Sequence, residues 1–245
     1  MFTVRYVPET DSTNDDAHAL LGEPGSAGLV IRTDFQRAGR GRRGRSWIAP
    51  PGSALMFTAI LPQPVRVRAL WAIPFWTALC VAEGIESASG LRLELQWPND
   101  LLLGGRKCCG ILCISRVSGA SAWAGCGVGL NVLRPAGDAS LDAIDPPPAF
   151  LSDNYPQLDR EAVFTSILAA LERRAAGVEH PRGVAHAWEA RAGLPGASYR
   201  ILLDQATEPF DATALRLSDD GGLVVRRGEA EQTVSLADAR VLRPD

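Results

Sequence analysis

An α+β domain followed by a small all-β unit is the fold class that this 245-residue sequence predicts. Three observations carry it. Short apolar runs with strand character recur between Thr3 and Val132, and apolar residues at helical spacing fill three separate stretches. Beyond Pro195 the period changes, leaving only short strands separated by Asp, Gly and Glu turns. An apolar content of 46% rules out a disordered chain, and the length provides ample core.

Taken in order, Thr3 to Val7 and Leu29 to Thr33 read as strands flanking a helix that starts near Ser12. Ala54 to Leu61 is an apolar strand, and Val67 to Ser89 carries a long buried helical pattern with Pro74 near its start. A dense β region follows: Arg92 to Gln96, Leu101 to Leu103, Arg106 to Ile114 and Ala122 to Val132. Gly104-Gly105 marks a two-residue hairpin, because both central positions of that turn want positive φ. Lys107 then stands on the returning strand. After the loop closed by Pro146 to Pro148, Asp159 caps a helix whose Val163, Ile167 and Leu171 fall one turn apart. A second helical piece, Val184 to Ala192, ends at Gly193 and Pro195, and the boundary falls between Leu194 and Ala197. Tyr199 to Leu203, Phe210 to Leu217, Leu223 to Arg226 and Thr233 to Leu236 are the strands of the terminal unit.

Charge and composition exclude several functions. A net charge of −3 argues against a protein that coats nucleic acid by net charge. The apolar stretch Leu70 to Ile85 contains Pro74 and Thr77, ends against Glu83 and is too short to span a bilayer. Met1 to Asp16 has acids and no apolar h-region, so no secretory signal is expected. Cys80, Cys108, Cys109, Cys113 and Cys126 are odd in number and lack metal-ligand spacing; they read as core residues of a reduced, cytosolic chain.

Four segments carry chemistry. Arg37-Ala38-Gly39-Arg40-Gly41-Arg42-Arg43-Gly44-Arg45 holds five arginines and three glycines. Glycine lets backbone N–H groups approach a ligand, and arginine offers a bidentate donor to phosphate or carboxylate, so together they describe an anion-binding loop. Such a loop is expected to be mobile when empty and ordered by an anionic ligand. A solvated basic loop is one other reading and an Arg-Gly nucleic-acid tail a second, against which stand the internal position and the lack of interleaved aromatics. Gln96-Trp97-Pro98-Asn99-Asp100 is either a strand-ending turn or an amide and a carboxylate held beside Lys107, where Asp100 would hold Mg2+ on phosphates or orient an amine. In Gly125-Cys126-Gly127-Val128-Gly129-Leu130-Asn131, glycine at every second residue strips one strand face, either to clear a ligand slot or to bend the strand. In Asp11-Ser12-Thr13-Asn14-Asp15-Asp16, Ser12 and Asp15 have capping-box spacing, and a helix start also offers free N–H donors.

One further feature is compositional. Of 25 basic residues, 24 are Arg and one, Lys107, is Lys. Arginine is a permanently charged fork and lysine a compact, tunable point charge, so the position of the single ammonium is informative.

In this order the segments resemble the biotin–protein ligase (biotin–[acetyl-CoA-carboxylase] ligase) family. The resemblance rests on DSTN at Asp11–Asn14, FQRAGRGRRGRSW at Phe35–Trp47, WPNDLLLGGRKCCGIL at Trp97–Leu112 and a GxGxN strand at Gly127–Asn131, and it runs along essentially the whole chain. It implies a catalytic domain over residues 1–194, related to the class II aminoacyl-tRNA synthetases, and an SH3-like β-barrel over 195–245. The implied reaction is ATP-dependent. The biotin carboxylate attacks the α-phosphorus to give biotinyl-5′-AMP and pyrophosphate, and a lysine of a biotin carboxyl carrier protein domain then displaces AMP. The resemblance places Ser12, Thr13, Asn14, Gln36, Gly39, Arg40, Gly41 and Arg42 at biotin, with Gly110 and Gly127 beside its valeryl chain. Arg40, Arg42, Arg43, Trp47, Asn99 and Asn131 fall at the nucleotide. Lys107, Arg42 and Asp100 are the implied catalytic residues, Mg2+ is implied with ATP, and no metal ligand set is assigned. A cytoplasmic enzyme without nucleic-acid or membrane partners is expected; a homodimer is left open.

Two departures stand out. DSTN begins at residue 11, so no N-terminal helix-turn-helix and no operator binding are expected, and Asp211 and Arg216 occupy barrel positions where small residues are expected. A lipoate or octanoate ligase on the same core is the alternative enzyme, and a nucleic-acid module using the Arg-Gly loop is the alternative from another class.

Overall fold

A computed structural model of the chain describes residues 1–137, 141, 144–204, 206–236 and 239–242. Strand β1 (Thr3–Thr10), helix α1 (Thr13–Leu20) and strand β2 (Leu29–Gln36) form a crossover unit in which β1 and β2 pair in parallel. Antiparallel pairing builds the rest of an eight-stranded sheet from β3 (Ala54–Ile60), β4 (Val65–Arg66), β5 (Glu94–Gln96), β6 (Asp100–Leu103), β7 (Arg106–Ser118) and β8 (Ser121–Asn131). The order is β1-β2-β3-β8-β7-β6-β5, with β4 added on β8. Gly104 and Gly105 join β6 to β7 at φ of 57° and 72°, the positive values that a two-residue hairpin of this kind requires.

Strand periodicity gives the sheet two different faces. Along β3, Leu55, Phe57 and Ala59 enter the main core, whereas Ala54, Met56 and Ile60 belong to smaller clusters on the other side. The main core lies against α2 (Ile73–Ser89), α3 (Arg160–Arg174) and α4 (Pro181–Arg191). A 3₁₀ turn, Val67–Ala72, leads into α2, and Pro74 sits in its first turn, where a missing N–H costs nothing. With that turn the helical run Val67–Ser89 reaches 23 residues and its most apolar 18-residue window has a mean hydropathy of 1.2, long and apolar enough to cross a membrane and longer than the 70–85 stretch. Some 72% of its most apolar window is buried within the protein, so the run serves as a core helix. The Asp159 carboxylate caps α3 by accepting from the Glu161 N–H at 2.9 Å. At α1 the capping-box expectation fails: Ser12 occupies the N-cap position but its hydroxyl makes no capping bond. None of the five cysteines is in a disulfide and four are buried, which agrees with their reading as core residues.

Strands β9 (Ser198–Leu203), β10 (Phe210–Leu217), β11 (Leu223–Arg227), β12 (Ala230–Val234) and β13 (Ala239–Leu242) form a second sheet in the order β12-β11-β10-β9-β13. No pairing between β12 and β13 closes it among the described residues. Asp211 is exposed on β10, and Arg216 sits at a register irregularity, 3.3 Å from Glu231. This sheet shares the main core: Tyr199, Ile201, Leu217 and Leu223 pack in the same cluster as α2 and α4. The fully buried Trp97 is the hinge of the contact. Its indole N–H donates to the Gly221 carbonyl at 3.0 Å, and its backbone N–H donates to the Tyr199 hydroxyl at 3.1 Å.

Burial pushes the Tyr199 phenol up to about 12, with the Trp97 N–H opposing that shift. Because the folded value lies above the ordinary value of about 10, the stability it contributes is complete below pH 10 and is lost as pH rises towards 12. Tyr199→Phe is therefore expected to flatten that alkaline loss and, by leaving the Trp97 N–H unpaired, to cost about 1–3 kcal/mol at neutral pH. Denaturant unfolding at pH 7, 10 and 11.5 checks this; a variant keeping the wild-type slope above pH 10 contradicts it.

Candidate active site

The cleft opens on the sheet face opposite the helical core and encloses about 990 Å3, including the solvent at its mouth. Its inner end is polar: Ser12, Thr13 and Asn14 at the start of α1, with Gln36 at the end of β2. Gln36 Oε1 accepts from the Thr13 N–H at 2.9 Å and lies 3.1 Å from the Thr13 hydroxyl oxygen, so the crossover unit joins these residues directly. The floor is Gly110 and Leu112 of β7 and Gly127 and Gly129 of β8. Glycine is required there for a reason the sequence left open. A Cβ on Gly127 would lie 2.2 Å from Asn14 Oδ1, and one on Gly129 would lie 2.5 Å from the Trp47 ring. Gly125 faces the Ile114 side chain instead. The stripped strand face thus seats Asn14 and Trp47 against the sheet, and the cleft is the space left beside them.

At the outer wall stand Asn99, Asp100 and Lys107. Simple alternation would place Lys107 on the same side as Cys109 and Ile111, facing the core. The β6–β7 register shifts between Leu101 and Leu102, pairing Leu101 with Cys109 but Leu102 with Lys107, so Cys108 is an extra residue. Cys108 and Cys109 both bury in the core, and Lys107 emerges on the cleft side with Gly110. There its ammonium lies 2.6 Å from the Asp100 carboxylate and 5.9 Å from the Trp47 ring centroid. Trp47 packs one face on Gly129, and its buried indole N–H has no partner among the described residues.

The Arg-Gly loop covers the outer end as a small hairpin. Gly41 N–H donates to the Arg45 carbonyl (2.7 Å), Trp47 N–H to the Gly39 carbonyl (2.8 Å), and Arg43 takes a left-handed φ of 60°, uncommon for a residue with a side chain. Protein acids hold its arginines: Arg37 pairs with Glu9 (2.9 Å) and Asp11 (2.7 Å), and Arg40 with Asp15 (2.8 Å). Arg42 reaches Asn99 Oδ1 at 3.2 Å and the Leu236 carbonyl, while Arg43 pairs with Asp204, so the loop rests on the second sheet. Burial lowers the Arg42 guanidinium from its ordinary value, with Asp100 opposing.

Most residues singled out in the sequence meet here: Ser12, Thr13, Asn14 and Gln36 at one end, Arg40, Gly41, Arg42, Arg43 and Trp47 over it, and Asn99, Asp100, Lys107, Gly110 and Gly127 around it. Gly39 and Asn131 do not line the cleft. Gly39 lies behind it, where a Cβ would meet the Trp47 carbonyl at 2.4 Å; the buried Asn131 donates to the Ala149 carbonyl at 3.2 Å. Residues not foreseen include Gln96, Ile111 and Val128, which lie inside segments singled out in the sequence, and Val241, which carries no local signal. Among the described residues no group of three or more His, Cys, Asp or Glu side chains could hold a metal ion.

A polar inner end, an apolar and glycine floor, a lysine on the outer wall and an arginine lid define an enzyme cleft for a small polar molecule beside a polyanion. Residues 6–131 match the biotin/lipoate A/B protein ligase family, and the chain belongs to that family. It is 33% identical over 236 residues to the biotin–[acetyl-CoA-carboxylase] ligase of Paracoccus denitrificans, covering 94% of this chain and 96% of that one. The Mycobacterium tuberculosis enzyme of the same name is 30% identical over 248 residues, covering 97% and 88%. The same fold is found in the biotin protein ligase from Aquifex aeolicus in complex with biotin and ATP, at a TM-score of 0.78 and 21% identity over the full length of both chains.

Gly129→Ala is expected to push the Trp47 ring off the sheet and to destabilise the chain by about 1–3 kcal/mol, the usual cost of overpacking. The denaturant midpoint reports it. An unchanged midpoint with unchanged Trp fluorescence would mean that the ring is not seated as described.

Proposed function

We propose that this chain is an ATP-dependent ligase that activates biotin as biotinyl-5′-AMP and transfers it to a lysine of a biotin carboxyl carrier protein domain. The observation that carries the reading is the cleft itself, with four hydrogen-bonding side chains at its closed end and Lys107 facing the arginine lid at the other. A ureido ring needs donors and acceptors together, which Ser12, Thr13, Asn14 and Gln36 supply; a dithiolane ring would leave them unpaired, so biotin is favoured over lipoate. Gly110 and Gly127 let Lys107, Trp47 and Asn14 pack close to the sheet, and the valeryl chain would lie in the space beside them with its carboxylate reaching Lys107.

In the first step a biotin carboxylate oxygen bonds to the α-phosphorus and the bond to pyrophosphate breaks. Two anions must approach, and the Lys107 ammonium offsets their repulsion and stabilises charge on the α-phosphate oxygens. Arg40, Arg42 and Arg43 hold the remaining phosphate charge from the lid, and Trp47 offers its ring to the nucleotide. Much of the acceleration comes from holding carboxylate and phosphorus in line, a contribution that reaches about 7–11 kcal/mol in favourable cases. In the second step the carrier amine bonds to the carbonyl carbon and AMP leaves. That amine, with an ordinary pKa of about 10.4, arrives mostly protonated. Asp100 is the carboxylate placed to take its proton once Lys107 turns to phosphate. Mg2+ would arrive with the triphosphate; Asp100 is the cleft carboxylate that would reach it, and the ion would neutralise phosphate charge there.

Residues 1–194 act as the catalytic domain, related to the class II aminoacyl-tRNA synthetases, and residues 195–245 as an SH3-like unit that braces the lid. The reading is supported by Arg42 and Arg43 resting on Leu236 and Asp204. Five cysteines outside any disulfide support a reducing, cytoplasmic location, and the net acidic charge supports a protein carrier rather than nucleic acid as partner.

The wild-type chain is expected to catalyse biotin-dependent ATP–pyrophosphate exchange and to label a carrier domain from biotin; label from lipoate and none from biotin refutes the assignment. Lys107→Ala should lower exchange about 10²–10³-fold, the usual loss on removing one preorganised charge-stabilising donor. The chain's only lysine lies in its own cleft, so self-biotinylation should be minimal by intact-mass spectrometry, whereas heavy self-labelling would contradict that.

A further inference from the structure

Behind the polar end of the cleft lies Thr58, at the centre of β3. It is fully buried, stands in register with Ile31 of β2 and Gly127 of β8, and does not itself line the cleft. Its neighbours on the core-facing side of β3 are Phe57 and Ala59, so its own side chain points to the cleft face like Met56 and Ile60. A buried hydroxyl in an apolar strand needs partners, and Thr58 has two: Asn14 Oδ1 at 2.8 Å and Thr13 Oγ1 at 2.9 Å.

Counting hydrogens assigns direction to each bond. The Asn14 amide nitrogen donates to the Leu112 carbonyl at 3.0 Å, which turns its oxygen towards Thr58. An amide oxygen has no proton, so the single Thr58 proton goes to Asn14. Thr58 can then only accept from Thr13, and the 2.9 Å contact takes the Thr13 proton in preference to Gln36 Oε1 at 3.1 Å, which already accepts the Thr13 N–H at 2.9 Å. With its proton committed inwards, the Thr13 hydroxyl presents only lone pairs to the cleft. Asn14, clamped by Thr58 and the Leu112 carbonyl over Gly127, keeps one amide hydrogen free.

We infer that Thr58 is a positioning residue for substrate recognition: it holds Thr13 as an obligatory hydrogen-bond acceptor and Asn14 as a donor towards the bound ureido group. The inference rests on the biotin-ligase reading above and deepens it. Thr58 touches no substrate. It sets the polarity of the groups that do, so that a ring bearing N–H donors is matched and one without them meets an unpaired acceptor.

Thr58→Val keeps the shape and deletes the hydroxyl. In ATP–pyrophosphate exchange its KM for biotin should rise about tenfold to a hundredfold, the range expected when buried polar partners lose their bond. Its KM for ATP, and kcat at saturating biotin, should stay within about twofold of wild type, because only binding of the ring is affected. Thr58→Ser restores the hydroxyl and should bring the biotin KM back to within about threefold of wild type. Thr58→Ala, with thermal unfolding followed for every variant, separates folding from recognition. If a folded Val or Ala variant binds biotin like wild type, or if the only loss is in the amount of folded protein, the inference is overturned. So too if kcat and the ATP KM move as far as the biotin KM, or if Ser fails to rescue. Wild-type protein without any biotin-dependent exchange would instead overturn the ligase reading, and this inference with it.

Discussion

The direction in which Lys107 points depends on one extra residue in the β6–β7 ladder. Without Cys108 as a bulge, the ammonium would face α2 and the main core, where a charge without water or partner costs several kcal/mol. With it, two consecutive cysteines bury and Lys107 joins Asp100 and Gly110 on the cleft side. The bulge also separates the roles of the two strands. Leu101 and Leu103 stay in the core while Asp100 remains opposite Gly110, so an ion pair is built on the polar face without opening the apolar one. Every other feature of the cleft is arranged around that lysine.

The same division of faces explains the rest of the site. Gly127 and Gly129 keep side chains off the cleft face of β8, while Cys126, Val128 and Leu130 on its other face are buried in the core. One strand thus does two jobs with a period of two: it packs α2 on one side and seats Asn14 and Trp47 on the other. Trp97 links this sheet to the second one through Tyr199 and Gly221, and the arginine lid touches the second sheet again through Leu236 and Asp204. The outer wall of the cleft and its lid are therefore both braced by the chain's last five strands.

Three of the five loop arginines, Arg37, Arg40 and Arg43, are paired with protein acids before any ligand arrives. Arg37 and Arg40 are more than half exposed and pair with Glu9, Asp11 and Asp15, contacts of a kind worth about 0–1 kcal/mol each in water. Exchanging such partners for a polyphosphate costs little. Arg42 differs because it is partly buried, and burial already lowers its pKa, so an anion placed beside it gains more than one beside Arg40 would. The loop thus grades from solvated arginines at its rim to a partly buried one at the cleft.

Local residue order was enough to read the Gly104-Gly105 hairpin, the Asp159 cap and the change of period near residue 195, because each is decided within a few residues by backbone freedom, capping or alternation. It also singled out Lys107 by its rarity and brought most of the cleft-lining side chains into view through four short segments. It did not reveal that Cys108 is a bulge, that the glycines of β8 seat Asn14 and Trp47, or that Thr58, Ile111 and Val241 belong to or behind the cleft. Those depend on which strand lies beside which and in what register, and register is set by long-range pairing and core burial rather than by neighbours in sequence. Residue type and spacing determined what chemistry this protein carries; tertiary pairing decided which way each of those groups faces.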